Sequence, residues 1–303
     1  MTQFCFLDYN NNGKPIHTQE IHPRFLEWFI GFFEGDGYIT QWSDKGQLRF
    51  AIGIDQKDPA LLYKIRTTLG FGRIRQYTRN QETYWRWIVE SEKNIERLIR
   101  LLNGNLILKH RRIQFRYLFE SFQKKYMKTG LTYKECNIQP TLSDAWLSGF
   151  CEAECGFDGN FTRNFKRGRY KDGSQRYAIK LRFYLTQKLM DDNILYSIAN
   201  LFELKKIRIY PVQNSNKTGS FLYYRLEINT KRGHDLLIDY LQKFPLKGIK
   251  RIDFLRFMLL RRRQLLRGSR IESEHMAKRT ARLINFFVKK RKQTENVCVC
   301  VDG

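Results

Sequence analysis

The chain has 303 residues, of which 55 are Lys or Arg and 30 are Asp or Glu, giving a formal charge of +25 and a pI near 9.9. A hydrophobic content of 42% and an aromatic content of 15% exclude a disordered polycation and indicate folded domains. No apolar run reaches the ~18 residues of a membrane span, and the excess charge favours a polyanionic partner, nucleic acid before an anionic membrane surface.

Apolar periodicity and turn residues predict a first set of elements after an N-terminal extension, 1–23. In chain order we predict a helix at 24–36, strands at 38–43 and 47–56, a helix from Asp58-Pro59 to Leu69, strands at 72–79 and 83–90, and helices at 92–102 and 108–124. Turns at 43–46 and 79–82 join the paired strands. These elements define a first half, 24–125, and a linker follows at 126–141.

The same order recurs in a second half, 142–268. It comprises a helix at 142–155, strands at 156–165 and 176–187, a helix at 189–203, strands at 205–211 and 220–229, and helices at 231–243 and 249–267. The repeat is visible in the letters themselves: 28–37 matches 146–155, 54–57 matches 185–188, and 111–115 matches 250–254. A basic extension, 269–303, follows, with a further basic helix predicted at 270–292. We therefore predict an α+β fold of two pseudo-symmetric αββαββα halves, each an antiparallel sheet backed by helices.

The predicted strands alternate between an apolar and a basic face. In strand 47–56, large apolar residues alternate with Gln47, Arg49 and Asp55, and strand 176–187 alternates in the same way, with Lys180 and Arg182 on its polar face. These rows are almost purely cationic, whereas an ordinary solvated face, which is the alternative, mixes charges. A basic ribbon suits phosphates and base edges in the major groove of DNA better than the narrow groove of duplex RNA.

Helix 24–36 and its repeat combine small residues with a terminal acid. Small residues four positions apart permit a close crossing of the two helices, and they are Gly31, Gly35, Gly149 and Ala153. Asp36 and Glu154 end the two motifs, so the crossing brings two carboxylates together. Paired carboxylates with room for water suit Mg²⁺ and metal-assisted phosphodiester hydrolysis. Glu34 and Glu152 point elsewhere, and we predict a capping or linking role for them.

Residues 29–37 and 147–155 resemble the two LAGLIDADG motifs of a single-chain homing endonuclease, and the resemblance covers about 24–268. It implies saddle-shaped sheets in the DNA major groove, packing through the two motif helices, and cleavage of both strands of a long pseudo-palindromic or asymmetric target to leave 3′ overhangs and initiate intron homing. It also implies a monomer without an obligate protein partner. Mg²⁺ is the implied cofactor, with Mn²⁺ substituting and Ca²⁺ supporting binding without cleavage.

The resemblance assigns site residues by position. Asp36 and Glu154 become the metal-binding acids, with Gly35 and Ala153 beside them. Further catalytic residues are Gln56, Gln187, Lys250 and Arg111, and Lys109 competes with Arg111. Candidate DNA contacts are Thr40, Trp42, Gln47, Arg49, Arg73, Arg75, Tyr77, Arg79, Arg86, Asn160, Thr162, Lys180, Arg182, Tyr184, Lys206, Arg208, Tyr210, Tyr223 and Arg225. One departure is the order Glu154-Cys155-Gly156, where the pattern has Gly before Cys.

Alternatives of other classes remain open at this point. Asp36 with Asp55-Gln56-Lys57 crudely fits a PD-(D/E)xK nuclease, although the repeat replaces Asp55 by Thr186. An intron-RNA-binding maturase or a non-cleaving DNA-binding protein on the same fold is the stronger alternative. Membrane binding is not expected. No targeting signal is visible, and the resemblance implies a mitochondrial or chloroplast location.

Overall fold

A computed structural model describes residues 3–127, 130–163, 177–188, 191–204, 209–216, 219–267 and 279–287, without the side chains of 161–163, 177–178, 192, 210–216, 219–222 and 266–267. The chain folds into two compact units. Unit 1 comprises Met1–Glu154 with Phe244–Gly248, and unit 2 comprises Cys155–Lys243 with the described residues from Ile249 onward. Among the described residues, no helix combines the length and the apolar character that crossing a bilayer requires.

Unit 1 contains a short π-helix, Tyr9–Gly13, and the elements of the first predicted half. They are α1 (Pro23–Asp36), β1 (Gly37–Asp44), β2 (Gln47–Gln56), α2 (Ala60–Leu69), β3 (Arg73–Arg79), β4 (Glu82–Val89), α3 (Glu92–Leu102), α4 (Lys109–Tyr126) and α5 (Trp146–Glu154). The strands form one antiparallel sheet in the order β1-β2-β4-β3. Both predicted hairpin turns are present, with positive φ at Lys45 and Gly46 and at Asn80 and Gln81.

Helix α1 is the centre of the unit 1 core. It begins at Pro23, and the ring of His22 accepts a hydrogen bond from the N–H of Arg24. Its middle is buried on all sides, including Trp28 and Phe29, which explains the almost continuous apolar run in this part of the sequence. Phe29 packs edge-on against Trp87 of β4, so the sheet and the helix share one aromatic core.

The predicted N-terminal extension, 1–23, and the predicted linker, 126–141, both contribute buried residues to unit 1. In the N-terminal extension, Asp8 forms an ion pair with Arg100 of α3, and Tyr9 is fully buried. In the segment 126–141, Leu131, Cys136 and Ile138 are buried. The segment therefore contributes to the core as well as joining α4 to α5.

Unit 2 repeats the architecture with β5 (Cys155–Arg163), β6 (Tyr177–Lys188), α6 (Asp192–Leu201), β7 (Ile209–Asn216), β8 (Gly219–Ile228), α7 (Lys231–Lys243) and α8 (Lys250–Arg267). Its sheet has the order β5-β6-β8-β7, again antiparallel. Phe157 contacts Phe183 across the strands and Phe257 of α8. The buried guanidinium of Arg261 on α8 donates two hydrogen bonds to the carboxylate of Asp235 on α7.

Some predicted boundaries differ from those of the structure. Helix α5 begins at Trp146 and not at 142, because Asp144 accepts a hydrogen bond from the N–H of Trp146 and sets the first turn there. Strand β7 extends to Asn216, past the predicted end at 211, and the predicted start at 205 lies outside the described residues. Of the basic helix predicted at 270–292, residues 279–287 are helical, and the rest lies outside the described residues.

Candidate active site

The two motif helices, α1 and α5, cross with their backbones in contact inside unit 1. A Cβ added to Gly31 would overlap the carbonyl oxygen of Trp146 and lie 2.8 Å from the backbone nitrogen of Phe150. A Cβ added to Gly149 would in the same way overlap the carbonyl oxygen of Trp28. Glycine is therefore required at both positions, since any larger residue separates the helices. This contact explains why α5 belongs to unit 1 although it opens the second sequence repeat.

The crossing brings the ends of the two helices together. Asp36 is the last residue of α1, and Glu154 is the last residue of α5. A Cβ added to Gly35 would overlap the Cβ of Ala153 and lie 3.3 Å from Cγ of Glu154. The side chain of Glu154 thus lies against the backbone immediately before Asp36. Both acids are half-buried, so solvent and a ligand reach them.

Gln56 orients the first of these acids. It is the last residue of β2, and its Nε2 donates a 2.7 Å hydrogen bond to Oδ2 of Asp36. The end of the strand and the end of the helix are therefore joined at the carboxylate. In unit 2, Gln187 occupies the matching place near the end of β6. It is buried, and its Nε2 has no hydrogen-bond partner among the described side chains.

The acids two positions earlier in each motif have a linking role, as the sequence predicts. Glu34 is fully buried, and its carboxylate accepts 2.6 Å hydrogen bonds from the N–H of Leu108 and from Nε1 of Trp146. Burial raises the pKa of Glu34 to about 8. Glu152 accepts a 2.7 Å hydrogen bond from the N–H of Lys247. Each acid thus fixes the segment that leads into a long helix, α4 or α8.

Arg111 and Lys109 have different environments on α4. Arg111 is buried and donates from Nε to the carbonyl of Glu34 at 2.9 Å and from Nη2 to the carbonyl of Gly35 at 3.2 Å. It therefore satisfies carbonyls at the C-terminus of α1, directly before Asp36. Lys109 begins α4 and is exposed. Lys250 begins α8 in unit 2 and is half-buried.

The prediction of almost purely cationic strand faces is wrong, because acids on the adjacent strands or directly after them pair with the cations. Arg75 pairs with Glu90 at 2.9 Å, and Arg86 forms a two-pronged ion pair with Asp55. In unit 2, Arg182 bridges Asp158 and Glu227. The alternation of residues within one strand correctly predicted which residues share a face. The ion-pair partners depend on the register between neighbouring strands, which the sequence of one strand does not determine.

The other candidate DNA contacts differ in exposure. Exposed residues are Thr40, Trp42, Gln47, Arg49, Arg73, Arg79 and Lys180, and half-buried ones are Tyr77, Asn160, Tyr184, Tyr223 and Arg225. The side chains of Thr162 and Tyr210, and the whole of Lys206 and Arg208, lie outside the described residues.

The donor set at the helix ends fits a hard divalent cation. Asp36 and Glu154 end the two crossing helices, and Cγ of Glu154 lies beside Gly35, the residue before Asp36. Carboxylate oxygens are the ligands that Mg²⁺ selects. In the described part of the chain, no group of three or more His, Cys, Asp or Glu side chains gathers to hold a metal. The pair would therefore leave most coordination positions to water and phosphate oxygens, as Mg²⁺ sites at nucleic acids do.

Comparison with known proteins assigns this arrangement to a family. A family model described as LAGLIDADG endonuclease matches residues 29–122 and 147–260, which include the C-terminal part of α1, nearly all of α5 and the strands of both sheets. The chain belongs to the LAGLIDADG endonuclease family. As a LAGLIDADG protein of the two-motif kind, it carries one match in each sequence repeat.

Two proteins of similar sequence are named as intron-encoded proteins. The probable intron-encoded endonuclease 4 of Neurospora crassa is 30% identical over 77% of this chain and 39% of its own length. The intron-encoded RNA maturase bI4 of Saccharomyces cerevisiae is 26% identical over 75% of this chain and 31% of its own length. The chain therefore spans about a third of the length of these two relatives.

A solved structure shares the fold. The I-LtrWI LAGLIDADG homing endonuclease, determined bound to target DNA, superposes with a TM-score of 0.65 over 87% of this chain and 98% of its own, at 16% identity. The predicted αββαββα architecture is thereby confirmed for this LAGLIDADG chain.

Proposed function

We propose that the chain is a monomeric, site-specific homing endonuclease that hydrolyses a phosphodiester in each strand of duplex DNA, leaves 3′ overhangs and so initiates intron homing. The observation that carries the proposal is that Asp36 and Glu154 end two helices whose glycines put their backbones in contact, with Cγ of Glu154 beside Gly35. An acid pair held this way repels itself unless a cation lies between the carboxylates. A DNA-binding protein without cleavage activity has no use for such a pair.

The chain's own residues prepare the site for a divalent cation, Mg²⁺ in the proposed reaction. Asp36 and Glu154 would hold it, and the small residues Gly35 and Ala153 allow the two acids to approach. Gln56 fixes the orientation of the Asp36 carboxylate, and Arg111 fixes the end of α1 that carries it. When bound, Mg²⁺ supplies Lewis acidity toward phosphate oxygens and toward water. Gln187 and Lys250 are the proposed counterparts in the second repeat.

Duplex DNA is the proposed partner because the open strand faces carry exposed cations. Arg73, Arg79 and Lys180 are exposed on strands of the two sheets. Exposed guanidinium and ammonium groups bind phosphates, and those within reach of base edges add sequence preference. Since the curated relatives are named intron-encoded, and the N. crassa relative is named a probable endonuclease, we propose an organellar target, in a mitochondrion or a chloroplast.

The test separates binding from cleavage. A target is selected from a randomised duplex library by cleavage in Mg²⁺, and binding to it is then measured in Ca²⁺. Asp36→Asn and Glu154→Gln should each reduce cleavage by more than about 100-fold, since losing a group one shell beyond the metal already costs about 10- to 100-fold. Their affinity for DNA in Ca²⁺ should change little. Glu120→Gln, at an exposed acid of α4, is the matched control and should cut at the wild-type rate.

A second experiment, with intron RNA, distinguishes the endonuclease from the maturase alternative, which the S. cerevisiae relative suggests. If the protein binds duplex DNA in Mg²⁺ without cutting it and accelerates the splicing of intron RNA, the endonuclease proposal is wrong. If either acid variant cuts at the wild-type rate, the assignment of the metal site is wrong.

A further inference from the structure

Arg86 on β4 and Arg225 on β8 occupy equivalent positions in the two sheets. Arg86 lies opposite Asp55 in the register of β2 and β4, and Arg225 lies opposite Thr186 in the register of β6 and β8. Directly opposed residues share one face of a sheet. Each opposing residue immediately precedes the proposed catalytic glutamine of its repeat, Gln56 or Gln187. Both arginines therefore lie at the end of the sheet that holds this glutamine, here called the catalytic end.

The charge of Arg86 is neutralised within unit 1. Its Nε donates to Oδ1 of Asp55 at 2.7 Å, and its Nη2 donates to Oδ2 at 2.8 Å. Tyr77 donates a further 2.8 Å hydrogen bond to Asp55, and the guanidinium lies over the rings of Tyr77 and Tyr38 at 4.8 and 5.3 Å. The hydrogen bonds to Asp55 raise the pKa of Arg86. The two-pronged donor that would recognise DNA is therefore already occupied.

Arg225 contacts aromatic rings as Arg86 does, but the residue opposite it in the sheet is not an acid. Its guanidinium lies 4.6 Å from the ring centre of Tyr184 and 5.9 Å from that of Tyr223. Thr186 stands where the first repeat has Asp55 and brings no charge. The Nε of Arg225 is buried without a hydrogen-bond partner among the described side chains. A buried guanidinium N–H without an acceptor is rare in folded proteins, so this guanidinium has donor capacity that the described side chains leave unused.

The acids of the second sheet serve another arginine. Asp158 and Glu227 both pair with Arg182, at 2.6 and 2.9 Å. Arg182 lies on the same strand as Thr186 but four residues earlier, away from the catalytic end. The acids of the second sheet thus neutralise Arg182, whereas in the first sheet Asp55 neutralises the arginine nearest the glutamine.

We propose that Arg225 donates to DNA beside Gln187 of its own sheet, and that Asp55 prevents its counterpart Arg86 from doing so beside Gln56. The proposal rests on the proposed function, because it assumes that this face binds duplex DNA. The ligand is a pair of acceptors matching a guanidinium edge, from either a backbone phosphate or the O6 and N7 atoms of guanine. The two halves of a pseudo-symmetric protein would then hold the duplex unequally at equivalent positions.

The experiment compares the affinities of point variants for the selected target in Ca²⁺, with thermal unfolding as a check on folding. Arg225→Ala should weaken binding by about tenfold, as loss of one good contact does. Arg86→Ala combined with Asp55→Asn removes the ion pair without leaving an unpaired acid, and it should weaken binding by less than about threefold, as loss of a partly exposed ion pair does. Thr186→Asp supplies the missing acid and should reproduce the loss of Arg225→Ala. Thr186→Asn, with nearly the same shape and no charge, should bind as the wild type does. Asp55→Asn releases Arg86 and should strengthen binding.

A double variant separates neutralisation of Arg225 from general repulsion of DNA by a new acid. If the carboxylate introduced at position 186 acts through Arg225, Thr186→Asp should weaken binding less in the Arg225→Ala background than in the wild type, because only repulsion by the unpaired acid remains there. Fully additive losses in the double variant, or equal losses for Arg225→Ala and for Arg86→Ala combined with Asp55→Asn, would overturn the proposal. Failure of the wild type to bind duplex DNA at all would instead refute the proposed function, and this proposal with it.

The same titrations identify the acceptor. A uniform loss across target variants, with a salt slope shallower by about 0.9, assigns a phosphate to Arg225. A loss confined to one base pair, with the slope retained, assigns guanine. Either result supports the proposal, because both place the guanidinium on DNA.

Discussion

Glu34 shows how burial gives a single carboxyl an unusual proton affinity. The side chain lies unexposed between α1, α4 and α5, and burial raises its pKa from 4.5 to about 8 despite two hydrogen bonds that favour the charged form. The folded protein therefore binds this proton more tightly than the unfolded chain does. The contribution of Glu34 to stability is fully present below about pH 4.5 and is lost as the pH rises toward 8.

We predict that Glu34→Gln removes this pH dependence. The free energy of unfolding of the wild type should fall between pH 5 and 8, and that of the variant should be flatter over the same interval. At pH 5 the variant should be less stable by about 1–3 kcal/mol, because its amide presents a donor to Leu108 or Trp146, which are donors themselves. Urea unfolding at several pH values measures both effects. Glu120→Gln should keep the wild-type slope, and parallel slopes for all three proteins would contradict the prediction.

At the scale of elements, the crossing of α1 and α5 depends on two glycines. Replacing glycine by alanine inside a helix usually stabilises it by about 0.5–1 kcal/mol. At Gly31 and Gly149 the new Cβ would overlap backbone carbonyl oxygens of the facing helix, which do not rotate away as a flexible side chain does. Gly31→Ala and Gly149→Ala should therefore destabilise the protein by about 1–3 kcal/mol or more.

Denaturant unfolding and cleavage assays together check this prediction. Separating the helices also separates Asp36 from Glu154, so cleavage should fall even under conditions where the variants remain folded. Gly130→Ala is the control, because nothing lies within 4 Å of a Cβ at that position, and it should be close to neutral. Wild-type stability and activity in both motif variants would show that the helices tolerate a wider spacing.

The same elements show how much the sequence predicts. Strands and hairpin turns are encoded locally, by alternation and by residues such as Lys45-Gly46 that adopt positive φ, and most were placed within a few residues. The order Glu154-Cys155-Gly156 departed from the motif without an evident reason. The structure supplies one, since the ring of Tyr184 occupies the space that a Cβ at Gly156 would need. In the first sheet Tyr38 covers Gly53 in the same way, with the two partners exchanged between strands.

What the sequence did not predict depends on which strands become neighbours. The pairing of Arg86 with Asp55, or of Arg182 with Glu227, requires the register of β2 with β4 and of β6 with β8. A single sequence contains the residues of both strands but not the alignment between them. The role of Arg111 at the end of α1 was likewise invisible, because it joins positions 77 residues apart.

At the scale of the whole molecule, the net charge of +25 overstates the charge that is available to DNA. Arg75, Arg86 and Arg182 are paired with acids on their own sheets, and such partly exposed pairs release few counterions when DNA binds. Arg73 and Arg79 are exposed, and in the described part of the chain neither forms an ion pair. The strand faces therefore contain cations paired with acids and exposed cations without an ion pair among the described residues. The net charge of the chain does not distinguish these two classes.

Salt dependence of DNA affinity should distinguish these classes. Each phosphate contact contributes about 0.9 to the slope of log K against log salt concentration, so Arg73→Ala and Arg79→Ala should each reduce the slope by about that amount. Arg86→Ala combined with Asp55→Asn should leave the slope nearly unchanged, because the two charges already neutralise each other. Arg116→Ala removes an exposed cation of α4 that pairs with Glu120 away from the strands, and it should also leave the slope unchanged. Binding titrations in Ca²⁺ between about 50 and 200 mM salt span the range in which such differences are large. Equal reductions in all four variants would mean that the total charge, and not its pairing on the sheets, governs attraction to DNA.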